Sequence, residues 1–163
     1  MGRNRIYCAV FIILLLASAL AGCGRKRADT DFENDLKEYA SVMQSLPADS
    51  YYAFADMSSE HDALLVAESV FDNLDGTLAA VEATVYGFDR DGNIKEYGPV
   101  ASGGSANPLA AKDGELFCAH HRYIDKLHID EASSEMITQE SDDFEEYGGA
   151  EVIAFRPVSD KAG

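Results

Sequence analysis

Three Asp-Gly pairs, Asp75-Gly76, Asp91-Gly92 and Asp113-Gly114, each fall between short runs rich in Val, Ile, Phe and Tyr, and they constrain the fold more than any other feature. Glycine enters the positive-φ conformations of tight hairpin turns without steric cost, and Asp tolerates them. Strand, two-residue turn and returning strand is thus the local unit, and its repetition gives an antiparallel meander. The runs place strands near 50–57, 63–72, 77–89, 93–97, 115–121, 122–130, 135–140 and 150–156. In the third run Val81, Ala83 and Val85 alternate with Glu82, Thr84 and Tyr86, as one buried and one wetter face require. Gly98 to Pro108 reads as a loop, and Ser141 to Gly149, with Asp142, Asp143, Glu145 and Glu146, as a solvated acidic loop.

One segment has a different period. Phe32, Leu36, Tyr39, Met43 and Leu46 recur at steps of four and three, which puts them on one face of a helix. Thr30-Asp31-Phe32-Glu33 resembles a capping box with Thr30 as N-cap and Glu33 at the third helical position, and Pro47 stops the helix. The apolar stripe is expected to dock on the domain. The expected fold class is therefore α+β, mostly β: an antiparallel meander, as a curved sheet or partial barrel, with one N-terminal amphipathic helix across one face or end. The chain has no internal repeat of solenoid length.

Ahead of the helix, Arg3 and Arg5 precede a run without charge from Ile6 to Gly24, densest in apolar residues from Ala9 to Leu16, which is the order of a secretory signal. The run ends in Leu20-Ala21-Gly22-Cys23, which resembles the bacterial lipobox: Leu, two small residues, then Cys. The resemblance implies that residues 1–22 are a signal peptide, that the Cys23 thiol receives a diacylglyceryl group, and that cleavage falls between Gly22 and Cys23. Two other readings use the same residues. Ala19-Leu20-Ala21 fits the small-x-small site of the ordinary signal peptidase, and the uncharged run is long enough to span a bilayer as a permanent helix. The Cys at that offset favours the lipobox. Residues 23–29 then form a lipidated basic tether, in which Arg25, Lys26 and Arg27 each add about 1 kcal/mol of attraction to an anionic membrane. Residues 30–160 are expected to form a single β-rich extracytoplasmic domain.

Loss of the signal leaves 141 of the 163 residues, enough for one compact domain. It removes two of the 13 basic residues and none of the 29 acidic ones, so the net charge becomes −18. Such a surface repels nucleic acid and is able to attract a cation or a basic partner, although acidity alone is more often a solubility feature. Of three cysteines, Cys8 leaves with the signal and Cys23 carries lipid, so Cys118 is alone and no internal disulfide forms. Between Phe117 and Ala119, Cys118 reads as a small buried residue rather than a nucleophile.

Candidate sites are few. Asp89, Asp91 and Asn93 surround Gly92 and are the weak candidates for a metal, specifically calcium, but a full EF-hand loop needs its Gly at position six and a Glu at position twelve, and this chain has neither there. The hairpin reading is preferred, with no metal and no cofactor expected. Asp56 to Asp62, followed by Ala63-Leu64-Leu65-Val66, looks like a degenerate form of the Asp-rich loop found in surface proteins of Gram-positive anaerobes. Its fuller form could hold calcium; here Ser58 replaces an acid and the glycines are missing. His120, His121 and His128 cluster, with His61 far away, but neighbouring strand residues point to opposite faces and cannot share one zinc without a bulge. Ser102-Gly103-Gly104-Ser105 has no following helix and no P-loop Lys, and reads as a flexible loop or bulge. No nucleophile elbow accompanies any Ser, and an enzyme is not favoured.

Tyr52-Ala53-Phe54-Ala55-Asp56, Leu64-Leu65-Val66, Ala83 to Phe88 and Ser102-Gly103-Gly104-Ser105 together resemble small uncharacterised bacterial surface lipoproteins of Clostridia and related Gram-positive bacteria, over residues 36–140. The resemblance implies a Gram-positive surface location, lipid-anchored on the extracytoplasmic face of the cell membrane, and a β-rich domain. It carries over no catalytic residue. The leading expectation is a non-enzymatic module of unknown specificity that binds a ligand or a protein, which an exposed apolar or aromatic groove near Tyr51, Tyr52, Tyr86 or Tyr97 would support. Two alternatives stand beside it: an extracellular hydrolase with His120 or His128 beside a carboxylate in a deep pocket, and a structural or assembly subunit of a surface complex.

Overall fold

The computed structural model describes residues 29–159. The expected signal peptide, the expected lipobox residues Leu20 to Cys23 and the expected tether cations Arg25, Lys26 and Arg27 lie outside the described residues. Helices α1 (Asp29–Glu38) and α2 (Ala40–Ser45) lead into strands β1 (Tyr51–Asp56), β2 (Asp62–Ala67), β3 (Phe71–Asp72), β4 (Leu78–Ala79), β5 (Glu82–Phe88), β6 (Ile94–Ala101), β7 (Ala110–Lys112), β8 (Glu115–Ala119), β9 (Ile124–Asp130) and β10 (Glu135–Ser141). Helix α3 (Phe144–Gly148) and strands β11 (Glu151–Val152) and β12 (Arg156–Pro157) complete the order. The fold is α+β and mostly β, with antiparallel open sheets rather than a closed barrel.

The meander divides into two five-stranded sheets, ordered β12-β1-β2-β5-β6 and β10-β9-β8-β7-β11, while β3 and β4 form a separate two-stranded hairpin. Strands β1 and β2 are buried on both faces, and the choice of side chain differs between them. Ala53, Ala55, Ala63, Leu65 and Ala67 meet Leu116, Cys118, Leu127 and Ile129 of the second sheet in the main core. Tyr52, Phe54 and Leu64 face the other way, onto the helices, in a second core with Tyr39 and Met43. The order of layers is helices α1 and α2, first sheet, second sheet, with Tyr147 of α3 on the far face of the second sheet. Small residues line the face where two sheets approach, and aromatic residues fill the wider gap beneath the helices, where Phe32 meets Phe54 edge-on at 5.5 Å.

All five residues of the helical stripe, Phe32, Leu36, Tyr39, Met43 and Leu46, join that second core. The helix differs from expectation in two ways. It already contains Thr30, which therefore lies in the first turn and not at the N-cap. It also breaks at Tyr39, which leaves the helical angles at φ −91 and ψ 15. The Tyr39 ring is fully buried and its hydroxyl donates to the Asp62 carbonyl at 2.9 Å, a tertiary anchor that local periodicity does not express. Before Pro47, Leu46 is extended at ψ 141, as the proline ring demands.

The expected loop from Gly98 begins too early. Strand β6 continues to Ala101, and Tyr97 is an extra residue between the Tyr86–Glu96 and Val85–Gly98 pairs. This bulge, with Gly98 at φ 108 and Pro99 on an edge strand, explains why turn-forming residues occupy a strand. The expected acidic loop holds α3, capped by Asp143, whose side chain accepts from the Glu145 amide at 3.0 Å. The single strand expected at 150–156 is two: β11 joins β7 in the second sheet and β12 joins β1 in the first. Among the described residues no helix is long and apolar enough to cross a membrane.

Candidate functional site

The loop between β1 and β2 is where the two sheets come together at one end. Asp56 pairs with Asp62 across its base. Met57 is fully buried, and its carbonyl accepts from the Ile129 amide at 2.7 Å, which ties the loop to β9 of the opposite sheet. Ser58 follows and organises the rest: its oxygen accepts from the His61 amide at 3.1 Å and the Glu60 amide at 3.3 Å. Its single proton serves either the His61 carbonyl or the Glu131 carboxylate, both within reach.

Glu131 stands just beyond the end of β9, with its side chain 15% exposed. His61 Nδ1 lies 3.3 Å from each of its carboxylate oxygens. The imidazole also rests on Phe88 from the end of β5, with ring centroids 4.5 Å apart. Three elements of the fold thus fix one histidine. The donor atoms of Glu60, His61 and Glu131 all lie within 4.8 Å of one another, so these are residues able to hold a metal ion.

A cavity of about 530 Å³ opens beside this cluster, lined by Glu60, Asp113, Glu115, His128 and Glu131 among others. A second of about 290 Å³ adjoins it through Ser58, Ser59, Glu60, Asp113 and Gly114, and adds Asp56 and Asp62. Asp and Glu make up five of the twelve residues that line the larger and four of the eight that line the smaller. The walls come from the β1–β2 loop, the β7–β8 turn and the β9–β10 turn, so the cavity belongs to connections held rigidly by two sheets.

The residues singled out in the sequence are distributed differently. Asp89 Oδ1 accepts from the amides of Asp91 and Asn93, each at 2.9 Å, so its carboxylate closes the hairpin turn. That hydrogen bonding, chiefly from the Asn93 amide, holds the Asp89 carboxyl below its ordinary range. His120 pairs with Asp125 at 3.1 Å and stacks on Tyr123, while His128 lines the cavity and His121 is exposed. Cys118 is buried, and its thiol is pushed up to about 12 by burial first and by the Asp125 charge second, which disfavours the thiolate. Gly103 is a close crossing of the two sheets: its amide donates to the Ala119 carbonyl at 2.7 Å.

The four tyrosines do not form the expected aromatic groove. Tyr52 is buried beneath the helices, Tyr51 packs on the main core, Tyr86 joins the helix-facing core, and the Tyr97 hydroxyl donates to the Phe88 carbonyl at 2.7 Å. The sequence singled out the Asp56–Asp62 loop but not its partner Glu131, which lies 70 residues from His61. No local spacing links them; only the register of two different sheets does. The chain matches no protein-family profile, and neither the curated proteins nor the solved structures offer a match.

Proposed function

We propose that this chain is a membrane-anchored extracytoplasmic lipoprotein, tethered by lipid on Cys23, whose β-domain binds a ligand or protein partner in the cavity beside the β1–β2 loop. The observation that carries the binding reading is the concentration of carboxylates from three separate turns around one cavity. Like charges placed together cost stability in the free protein, and a cationic ligand or a basic partner relieves that repulsion. The anchor rests on the Leu20-Ala21-Gly22-Cys23 motif at the end of the uncharged run, with Arg25, Lys26 and Arg27 following at headgroup level. A hydrolase reading draws support from two histidine–carboxylate pairs, His61–Glu131 beside the cavity and His120–Asp125 away from it.

Two measurements test this. In cells fed a clickable palmitate analogue, the wild-type chain is expected to label and to sediment with membranes, and Cys23→Ala to lose the label; a labelled Cys23→Ala product would overturn the anchor. A photo-crosslinking residue at Ser59, in the cavity, is expected to capture a partner on intact cells that the same residue at Glu135, on the β10 edge, does not. Identical adducts from both positions would remove the cavity from the proposal.

A further inference from the structure

We infer that Glu60, His61 and Glu131 form a mononuclear site for a first-row divalent transition metal, with Zn2+ as the working probe. This inference rests on reading the cavity as the binding site and gives the chemical class of what it takes.

Spacing is the first support. Two donors each about 2.0–2.1 Å from a tetrahedral ion stand about 3.3 Å apart. His61 Nδ1 and the Glu131 oxygens are separated by 3.3 Å, so this edge is already at coordination distance. Glu60 has its donor within 4.8 Å of the others and is exposed next to His61, so a change of side-chain rotamer closes the remaining gap.

Charge is the second. Glu131 is mostly shielded from water, yet among the described residues no Lys or Arg forms an ion pair with either Glu60 or Glu131. Among the described residues the basic group paired with the Glu131 carboxylate is the His61 imidazole. A dication supplies the positive charge that no Lys or Arg among the described residues brings to these carboxylates.

Donor identity is the third. An imidazole nitrogen with two carboxylates suits zinc or a neighbouring transition ion, whereas calcium and magnesium select all-oxygen shells. The surroundings restrain the ligands as such sites require. Ser58 holds the Glu131 carboxylate, Phe88 supports the imidazole, and the Met57–Ile129 hydrogen bond fixes the loop to β9. Three protein ligands leave a fourth position for water or for a donor atom of the bound molecule.

The test is titration of the untagged full chain, purified in detergent, with Zn2+ by calorimetry and equilibrium dialysis. One equivalent is expected to bind, with His61→Ala and Glu60→Gln each weakening the affinity at least tenfold and His121→Ala leaving it unchanged. Glu60 is exposed, so Glu60→Gln reports on the site even if a Glu131→Gln chain does not fold. No stoichiometric binding, or equal affinity in wild type, His61→Ala and Glu60→Gln, would overturn the inference. Pairing the titration with the Ser59 crosslinking, both on chains in which Glu60, His61 and Glu131 are intact, separates the two proposals. An adduct that persists while zinc binding is absent sinks the metal and leaves the binding module standing; zinc binding without any adduct does the reverse.

Discussion

Tyr39 joins the helices to the sheet through both halves of its side chain. Its ring is fully buried against Phe54 and Phe88, and its hydroxyl donates to the Asp62 carbonyl. Burial first, and the charges of Glu38 and Asp35 after it, raise its pKa well above the ordinary tyrosine value. A raised folded-state pKa favours the neutral form, so its contribution is fully present below about pH 10 and is lost as pH rises beyond it. Cys118, raised in the same direction, adds to the loss at alkaline pH. Tyr39→Phe is therefore expected to lower stability by about 1 kcal/mol at pH 7 and to flatten the decline above about pH 10, read as urea midpoint against pH. An unchanged alkaline slope would assign the decline elsewhere. The ring's place in the stripe was legible from its spacing. The hydroxyl's partner was not, because Asp62 lies on another element and no local pattern encodes the distance between them.

At the scale of elements, turn chemistry was the best guide and strand length the poorest. Asp113 at φ 52 and Gly114 at φ 85 form the two-residue turn between β7 and β8, the mirror-image geometry that the twist of paired strands prefers. Gly114→Ala meets no atom within 4 Å, so its cost is the backbone conformation itself. It is expected to lower stability by about 1 kcal/mol, measured by urea denaturation, with Asp113→Asn close to neutral. A neutral Gly114→Ala would show that the turn relaxes. Strand β7, at three residues, is too short to carry an alternating pattern, and β6 hides behind Gly98 and Pro99, which an edge strand with a bulge accepts. Helix α3 was read as a loop because its five residues include two glutamates and a glycine and are too few to show an apolar periodicity. The same limit concealed the candidate site: its loop stood out by composition, but Glu131 meets it only through pairing between β8 and β9 and the stacking of the two sheets.

Over the whole molecule the acidic excess dominates, with a net charge of −16 and several carboxylates gathered around one cavity. Self-repulsion of this kind is screened by salt, the Debye length falling from about 30 Å at 0.01 M to a few ångströms near 0.5 M. Raising sodium chloride over that range is expected to increase the melting temperature by a few degrees; a fall would mean that attractive pairs outweigh the repulsion. The layered arrangement also has a consequence for timing. The segment from Glu151 to Val158 gives an outer strand to each sheet, and Tyr51 finds its partner at Pro157, about 100 residues later. Neither sheet is complete until that late segment has been made and has folded back on both. A chain exported in the way we propose must cross the membrane unfolded, and one whose last strands fasten both sheets remains threadable until nearly all of it has left the ribosome.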